Sequence, residues 1–245
     1  MKAHLQVFKA CLYLCAEVEA ELLVYHSGQN TLKYPFLEYG RLPSEKELNQ
    51  RWEVETERLA EMARLASDLG IVIGIENMDP ELSEILFLAE LGIPESQLVK
   101  YKQALRPDLI AHQIRIIDSP NVGLTLDVGH AFLAAPYWEG RSFLAVIEEI
   151  APQVRHVHLH DNFGCLVNGA DKPCERLVFG VGDNHLPPGW GKIPLTEVLT
   201  ILSEVSYDGW LNLEIRPKLK LYLKEAMRNT HNLLEAIGPA KNTRL

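Results

Sequence analysis

Short apolar runs alternate with longer segments of helical spacing along this chain. The runs are LLVYHS (22–27), IVIGIEN (71–77), VGLTLD (122–127), VRHVHLHD (154–161) and WLNLEI (210–215). Their apolar character is nearly continuous, which is typical of strands that are buried on both faces of a parallel sheet. We therefore predict five parallel strands, and LVFGV (177–181) is at most a sixth.

The segments between the runs predict helices. The longest, residues 43–70, opens with Pro43 and Ser44, carries Glu47 at the capping-box position and closes at Gly70. Further helices are predicted near 81–90, 97–116, 141–151, 194–204 and 219–236. The opening residues predict an amphipathic helix rather than a signal peptide, because Lys9 and then three glutamates interrupt the apolar stretch.

The regular alternation of strand and helix predicts an α/β fold of repeated βα units with right-handed crossovers. No low-complexity linker divides the chain, so we expect residues 1–245 to form a single domain. The sequence has neither a GxGxxG fingerprint nor a phosphate-binding loop after any strand. A barrel whose strand ends meet at one site is therefore favoured over a nucleotide-binding sheet.

Composition narrows the class of protein further. The 245 residues are 47% hydrophobic, and 24 Lys and Arg against 33 Asp and Glu give a net charge of −9. This balance creates no overall positive field to recruit nucleic acid, although it is compatible with a local basic patch. No run reaches the roughly 18 apolar residues that a membrane-spanning helix needs, so no membrane association is expected.

Cysteine usage indicates the compartment. The four cysteines, Cys11, Cys15, Cys165 and Cys174, form no CxxC pair and are too few for a disulfide framework in a chain of this length. We expect a cytoplasmic protein.

Potential metal ligands or acid–base groups stand at the strand ends. Glu76, Asp127 and Glu214 end the second, third and fifth runs, and His158 and His160 lie in the fourth. One such carboxylate alone usually caps a helix or pairs with a base, but burying several ionised carboxylates without a partner is costly. Convergent carboxylates and imidazoles are the ligands that a divalent cation such as Mn, Zn, Mg or Co accepts.

The remaining histidines leave alternatives open. His156, His158 and His160 project to one side of the fourth strand, and His156, farthest from the strand end, is expected to be a packed or hydrogen-bonded core residue. His26 lies near the end of the first run, where a histidine is either a ligand or, more often, structural.

A loop rich in glycine and proline, GDNHLPPGWGKIP (182–194), carries three further candidates. Asp183 and His185 are either additional ligands or, for the aspartate, part of a turn. Trp190 either forms an aromatic wall of the site or covers the mouth of the barrel.

Five motifs follow one another in order: IEN (75–77), LDVGHAF (126–132), VHLHDN (157–162), DNHLPPGWGKIP (183–194) and DGWLNLEIRP (208–217). Together they resemble the xylose-isomerase-like TIM barrels, a superfamily of sugar phosphate isomerases and epimerases that also contains the endonuclease IV type of AP endonuclease. The resemblance runs from about residue 20 to 217 and implies a TIM (β/α) barrel.

The resemblance also implies roles for individual residues. The implied metal ligands are Glu76, Asp127, His158 and Glu214, with His26 as a further candidate from the endonuclease pattern. The implied substrate contacts are His130, Asp183, His185, Trp190 and Arg216, of which His130 is alternatively a ligand and Arg216 alternatively a salt-bridge partner of Glu214.

The number of predicted strands differs from that of the family barrel. The family barrel has eight strands, and LLVYHSG (22–28) resembles the fourth of them, so the first three are expected to be absent upstream of Met1. An open barrel leaves unpaired strand edges. We expect either a shortened barrel or a wall supplied by another chain, with a homo-oligomer as one solution.

The implied function is a divalent-metal-dependent isomerase or epimerase that acts on a sugar or sugar phosphate through an enediolate. Glu76 and Glu214 would move the proton on and off carbon. The alternative is a metal-dependent phosphodiester hydrolase at abasic DNA sites, since the acids and histidines also match a multi-zinc cluster. A barrel remnant that only binds or assembles is a third interpretation.

Overall fold

This computed structural model describes residues 2–27, 32, 40–166 and 182–238. The five predicted runs form strands β1 (Leu22–His26), β2 (Val72–Glu76), β3 (Val122–Asp127), β4 (Val154–Leu159) and β5 (Trp210–Leu213). The candidate sixth strand at 177–181 and Cys174 lie outside the described residues.

The strands form one parallel sheet in chain order, β1-β2-β3-β4-β5. The register pairs His26 with Glu76, Glu76 with Thr125, and Asp127 with His158. All five C-terminal ends therefore meet at one edge of the sheet, as the sequence predicts.

The sheet curls into a half-barrel. In a flat sheet of five strands the two edges would lie about 19 Å apart, since neighbouring strands are about 4.8 Å apart. Here the indole nitrogen of Trp210, at the start of β5, lies 3.2 Å from Oε2 of Glu21, which precedes β1. The edges thus approach each other at the N-terminal end, but the described strands do not complete the eight-stranded barrel.

Helices cover the outer face of the sheet. They are α1 (Lys2–Glu17), α2 (Glu45–Leu69), α3 (Leu82–Glu90), α4 (Leu98–Tyr101), α5 (Pro107–Ile117), α6 (Val128–Ala134), α7 (Phe143–Ile150), α8 (Leu195–Glu204) and α9 (Leu223–Ala236). The predicted capping box of α2 is present, with Ser44 and Glu47 bonded reciprocally, and Gly70 ends the helix at φ 71°. No helix in the described parts of the chain is long and apolar enough to cross a membrane.

The prediction of one continuous helix over 97–116 is wrong. The segment contains short 3₁₀ turns at Glu95–Gln97 and Gln103–Leu105, with α4 between them and α5 after them. Pro107 clashes with a helical conformation at the preceding residue, and Arg106 has an extended ψ of 87°. The proline instead occupies the first turn of α5, where its missing N–H costs nothing.

The apolar core lies between the sheet and the helices. Strand residues of alternating parity point outward into it, among them Ile73, Ile75, Leu124, Leu126 and Leu211, all at most 2% exposed. The opposite parity faces the inside of the half-barrel and carries polar side chains near the C-terminal ends. This alternation is what presents the candidate site.

Candidate metal centre

The four ligands implied by the motifs lie together at the ends of β2 to β5. Glu76, Asp127, His158 and Glu214 each offer one ligand atom, and these atoms lie within 4.8 Å of one another. Nδ1 of His158 is 3.1 Å from Oε1 of Glu76 and 3.0 Å from Oε2 of Glu214. The same nitrogen is 3.7 Å from Oδ2 of Asp127.

The donor set fits a divalent cation. One N–H on His158 faces three carboxylates but hydrogen-bonds well to only Glu76. Oε2 of Glu214 is left buried without a hydrogen bond among the described residues. Mutually repelling carboxylate oxygens with spare lone pairs around one imidazole are a donor set for Zn²⁺, Mn²⁺, Mg²⁺ or Co²⁺.

Backbone geometry places these side chains. Asp127 ends β3 and also caps α6, because its Oδ1 accepts a hydrogen bond from the main-chain N–H of His130 at 2.7 Å. The short strand-to-helix connection therefore fixes the carboxylate at the sheet edge, where Oδ2 lies 3.1 Å from Nε2 of His160 and 3.7 Å from Nδ1 of His158.

Electrostatics link the groups in the metal-free chain. Burial alone would raise the pKa of Glu76, but hydrogen bonds from His158 and His26 outweigh it and lower the pKa to about 2. Burial alone would lower the pKa of His158, but the three surrounding carboxylates raise it to about 12. A proton on the imidazole thus partly balances negative charge where a cation would otherwise do so.

A second cluster adjoins the first. Nε2 of His185 lies 2.5 Å and Nε2 of His130 lies 3.7 Å from Oδ2 of Asp183, and these three residues form another group of potential ligands. The two neighbouring imidazoles outweigh burial and hold the pKa of Asp183 well below its usual range. The loop residues Asp183 and His185 therefore lie beside the first cluster, and their role as substrate contacts stays a prediction.

His185 has an unusual backbone. Its φ is 45°, a left-handed backbone conformation that residues other than glycine rarely adopt. Its Nδ1 lies 2.9 Å from the main-chain oxygen of Glu214, and its ring stacks on His160 with centroids 4.1 Å apart. Such strain persists only where the surrounding contacts impose it.

His26 reaches the cluster from β1. Its Nε2 is 2.6 Å from Oε2 of Glu76, and 63% of its side chain is exposed. The hydrogen bond to Glu76 raises the pKa of His26. The position suits either a ligand or a structural partner of Glu76.

Two of the implied substrate contacts have other partners. The guanidinium of Arg216 donates to the main-chain oxygen of Asp183, and no ion pair with Glu214 is formed among the described residues. The indole N–H of Trp190 donates to Glu225 at 3.0 Å, and the ring meets Tyr222 edge-on at 4.8 Å. Trp190 thus ties its loop to the C-terminal helical segment.

A family model described as the xylose isomerase-like TIM barrel matches residues 1–233. The chain belongs to the xylose isomerase-like TIM-barrel family.

Individual relatives agree with this membership. The chain is 35% identical over 156 residues to the uncharacterized protein MJ1311 of Methanocaldococcus jannaschii, a match covering 64% of this chain and 41% of that protein. It is 21% identical over 190 residues to fructoselysine 3-epimerase of Escherichia coli O157:H7, covering 76% of this chain and 55% of that enzyme. The chain spans about half the length of these relatives.

The fold is also similar to that of the IOLI protein, whose crystal structure contains a bound zinc atom. The TM-score is 0.62 at 18% identity, over 98% of this chain and 71% of the other. Proteins similar to this xylose isomerase-like barrel therefore include an epimerase in sequence and a zinc-bearing structure in fold.

His160, which the sequence offers as a strand-end candidate without a defined role, lies at the site of this xylose isomerase-like barrel. His160 is fully buried, and its Nε2 lies 2.9 Å from Oδ1 of Asp127. Gly129 makes room for it, since a Cβ there would lie 2.0 Å from Cε1 of His160. The signal for this position is strand alternation, which places His160, two residues after His158, on the same inner face.

His156 differs from its expected place in the core. It is half-buried inside the barrel, edge-on to His158 at 5.1 Å, and its Nδ1 has no hydrogen-bond partner among the described residues. Burial lowers the pKa of His156 to about 4, so the ring is neutral at physiological pH. The half-barrel leaves this inner position partly open.

Proposed function

We propose that this chain acts as a divalent-metal-dependent isomerase or epimerase of a sugar or sugar phosphate. The observation that carries the proposal is the convergence of three carboxylates and one imidazole from four strand ends. The similarity to fructoselysine 3-epimerase supports the substrate class. The proposal further includes cytoplasmic localisation and a small-molecule partner, with self-association covering the open edges.

The ion would be held by Glu76, Asp127, His158 and Glu214. His26, which is bonded to Glu76, would either join these ligands or hold Glu76 in place. When bound, the ion would polarise the substrate carbonyl and favour loss of the neighbouring proton. His130, Asp183 and His185 lie beside these ligands and can orient substrate hydroxyl groups by hydrogen bonds.

Glu214 is the better placed of the two acids to reach a substrate carbon. Its side chain is 41% exposed, whereas that of Glu76 is 2% exposed. In the forward step one carboxylate removes the proton from carbon next to the carbonyl and leaves an enediolate. For epimerisation, the other returns a proton to the opposite face of the same carbon. For isomerisation, it returns the proton to the neighbouring carbon while a hydroxyl proton moves between the two enediolate oxygens.

Glu214→Gln tests this role. Proton exchange at the substrate carbon, followed by NMR in D₂O with a panel of ketoses and their phosphates, should fall by about 10²-fold or more. The exposed Glu197 on α8 supplies a matched control, since Glu197→Gln should exchange normally. If folded Glu214→Gln still exchanges the proton at the wild-type rate, Glu214 does not transfer the proton.

A second candidate function is phosphodiester hydrolysis at abasic DNA sites. The adjoining His130, Asp183 and His185 cluster favours it, because several ions can generate hydroxide and stabilise the leaving oxygen. The net charge of −9 opposes DNA binding. Nicking of an abasic oligonucleotide, with no exchange on any ketose, would reverse the order of the two candidates.

A further inference from the structure

The carboxylate of Asp161 is buried two residues after β4 and lies among main-chain N–H groups. It is 1% exposed. Its Oδ1 accepts hydrogen bonds from the N–H groups of Asn162 at 2.9 Å and Ile193 at 3.1 Å. Its Oδ2 accepts from Gly189 at 3.0 Å and Gly191 at 2.9 Å.

Three of these donors belong to the loop that carries the second cluster of site residues. The same loop is joined to Asp161 by a main-chain bridge, in which each residue of the pair Asp161 and Leu186 donates to the other at 2.8 and 2.9 Å. Lys192 adds a main-chain hydrogen bond to Asn162 at 2.8 Å. The loop is therefore held at both ends by the residues that follow β4.

The packing around Gly191 leaves no room for a side chain. A Cβ at Gly191 would lie 2.3 Å from Oδ1 of Asp161 and 2.3 Å from the main-chain oxygen of Asn162. Burial raises the pKa of the Asp161 carboxyl, and the four N–H donors oppose that effect. A carboxylate is the side chain that offers enough lone pairs for four donors, which an amide does not.

His185 stands directly before the Leu186 bridge and adopts its left-handed backbone there. Its distance of 2.5 Å to Asp183 and its stack on His160 both depend on where the loop is fixed. We propose that Asp161 is a positioning residue, which anchors residues 183–193 to the end of β4 and so holds Asp183 and His185 at the site. The effect on catalysis rests on the proposed function, whereas the anchoring of the loop does not.

Asp161→Asn tests the anchoring. The variant keeps the shape but turns an acceptor into an N–H₂ donor facing other donors. Trypsin cleavage after Lys192, identified by mass spectrometry under native conditions, should accelerate by about tenfold or more, since the loss of hydrogen bonds to a buried charge favours opening of the loop. Asp108→Asn is the matched control, because that buried carboxylate on α5 binds Arg106, just before α5, and Arg141, just before α7.

The readout also separates positioning from general destabilisation. Zn²⁺ affinity, measured by competition with a chromogenic chelator, should stay within about threefold, because the four ligands of the first cluster lie outside the loop. If a ketose substrate is turned over, its KM should rise more than kcat falls. A wild-type cleavage rate after Lys192, or a rate that rises equally in Asp108→Asn, would overturn the proposal.

Gly191→Ala provides a second route if Asp161→Asn does not fold. Its methyl group displaces the same contact from the loop side, so cleavage after Lys192 should again accelerate with Zn²⁺ affinity retained. Unchanged cleavage in folded Gly191→Ala would contradict the anchoring. These measurements need no enzymatic activity, so failure of the proposed isomerase function and failure of this inference are distinguishable.

Discussion

The side-chain amide of Asn77 forms two hydrogen bonds with the main chain of Asp127. Nδ2 donates to the carbonyl oxygen and Oδ1 accepts from the N–H, each at 3.0 Å. These two hydrogen bonds extend the β2–β3 pairing one step past the end of β2. They join Asn77, which directly follows the candidate ligand Glu76, to the candidate ligand Asp127. The relative position of those carboxylates thus depends on a neutral side chain.

Replacing Asn77 by Ala should therefore weaken both folding and ion binding. The buried N–H and carbonyl of Asp127 lose their partners, which costs about 1–3 kcal/mol in the free energy of unfolding. We expect Zn²⁺ affinity to fall by about tenfold or more, as is typical when residues that orient ligands are removed. Urea unfolding and chelator competition measure the two effects.

Asn121 offers a matched control at the opposite end of the same strand pair. Its Nδ2 donates to the main-chain oxygen of Ile71 at 2.8 Å, far from the candidate ligands along β2 and β3. Asn121→Ala should reduce stability and leave Zn²⁺ affinity intact. Equal losses of affinity in the two variants would show that Asn77 acts through stability alone.

Ion uptake should release protons. The pKa of His158 is raised to about 12 in the metal-free chain, so its imidazole is protonated at pH 7, whereas a ligand must be neutral. Binding should expel about one proton, and apparent affinity should rise about tenfold per pH unit between pH 6 and 8. Calorimetry in buffers of different ionisation enthalpy counts the protons.

His158→Gln is the control for this prediction, because glutamine has no proton to lose. It should bind Zn²⁺ more weakly and with a smaller dependence on pH. Uptake without proton release by the unaltered chain would show that His158 is neutral before binding or stays outside the coordination sphere.

Lys102 should be critical for stability even though it lies outside the candidate ligand set. Its side chain is fully buried, with Nζ 2.7 Å from Oε2 of Glu84, whose carboxylate is also fully buried. Lys102→Met leaves that carboxylate unpaired and should cost about 3–5 kcal/mol in the free energy of unfolding, whereas Lys102→Met with Glu84→Leu should recover much of the loss. Urea unfolding measures both.

The neighbouring Lys100 provides the contrast. Its pair with Glu45, at 3.3 Å, is largely exposed, so Lys100→Met should change stability by only about 0–1 kcal/mol. A loss in Lys102→Met no larger than this would mean that Glu84 becomes protonated at little cost once its partner is gone, a direction already indicated by the raised pKa of Glu84.

The sequence by itself determined the elements that depend on local pattern. Continuous apolar runs identified β1 to β5, although the edge strands β1 and β5 are only partly buried. Ser44 with Glu47 marked the start of α2, because helix capping is set by nearby residues. The motifs also placed four candidate ligands at strand ends, although their role in binding an ion stays a prediction. Pro107 itself signals a break in the helix before it, but the helical spacing of the apolar residues on both sides favoured one continuous helix.

Only the tertiary structure decided which distant groups meet. Glu76 and His158 are 82 residues apart in the chain, and their 3.1 Å contact follows from the register of three strands and the curl of the sheet. The anchoring contacts of Asn77 and Asp161 use main-chain N–H groups, which every sequence contains, so no residue pattern reveals them. Periodicity records which face of an element is buried, whereas the convergence of strand ends depends on how the whole sheet closes around them.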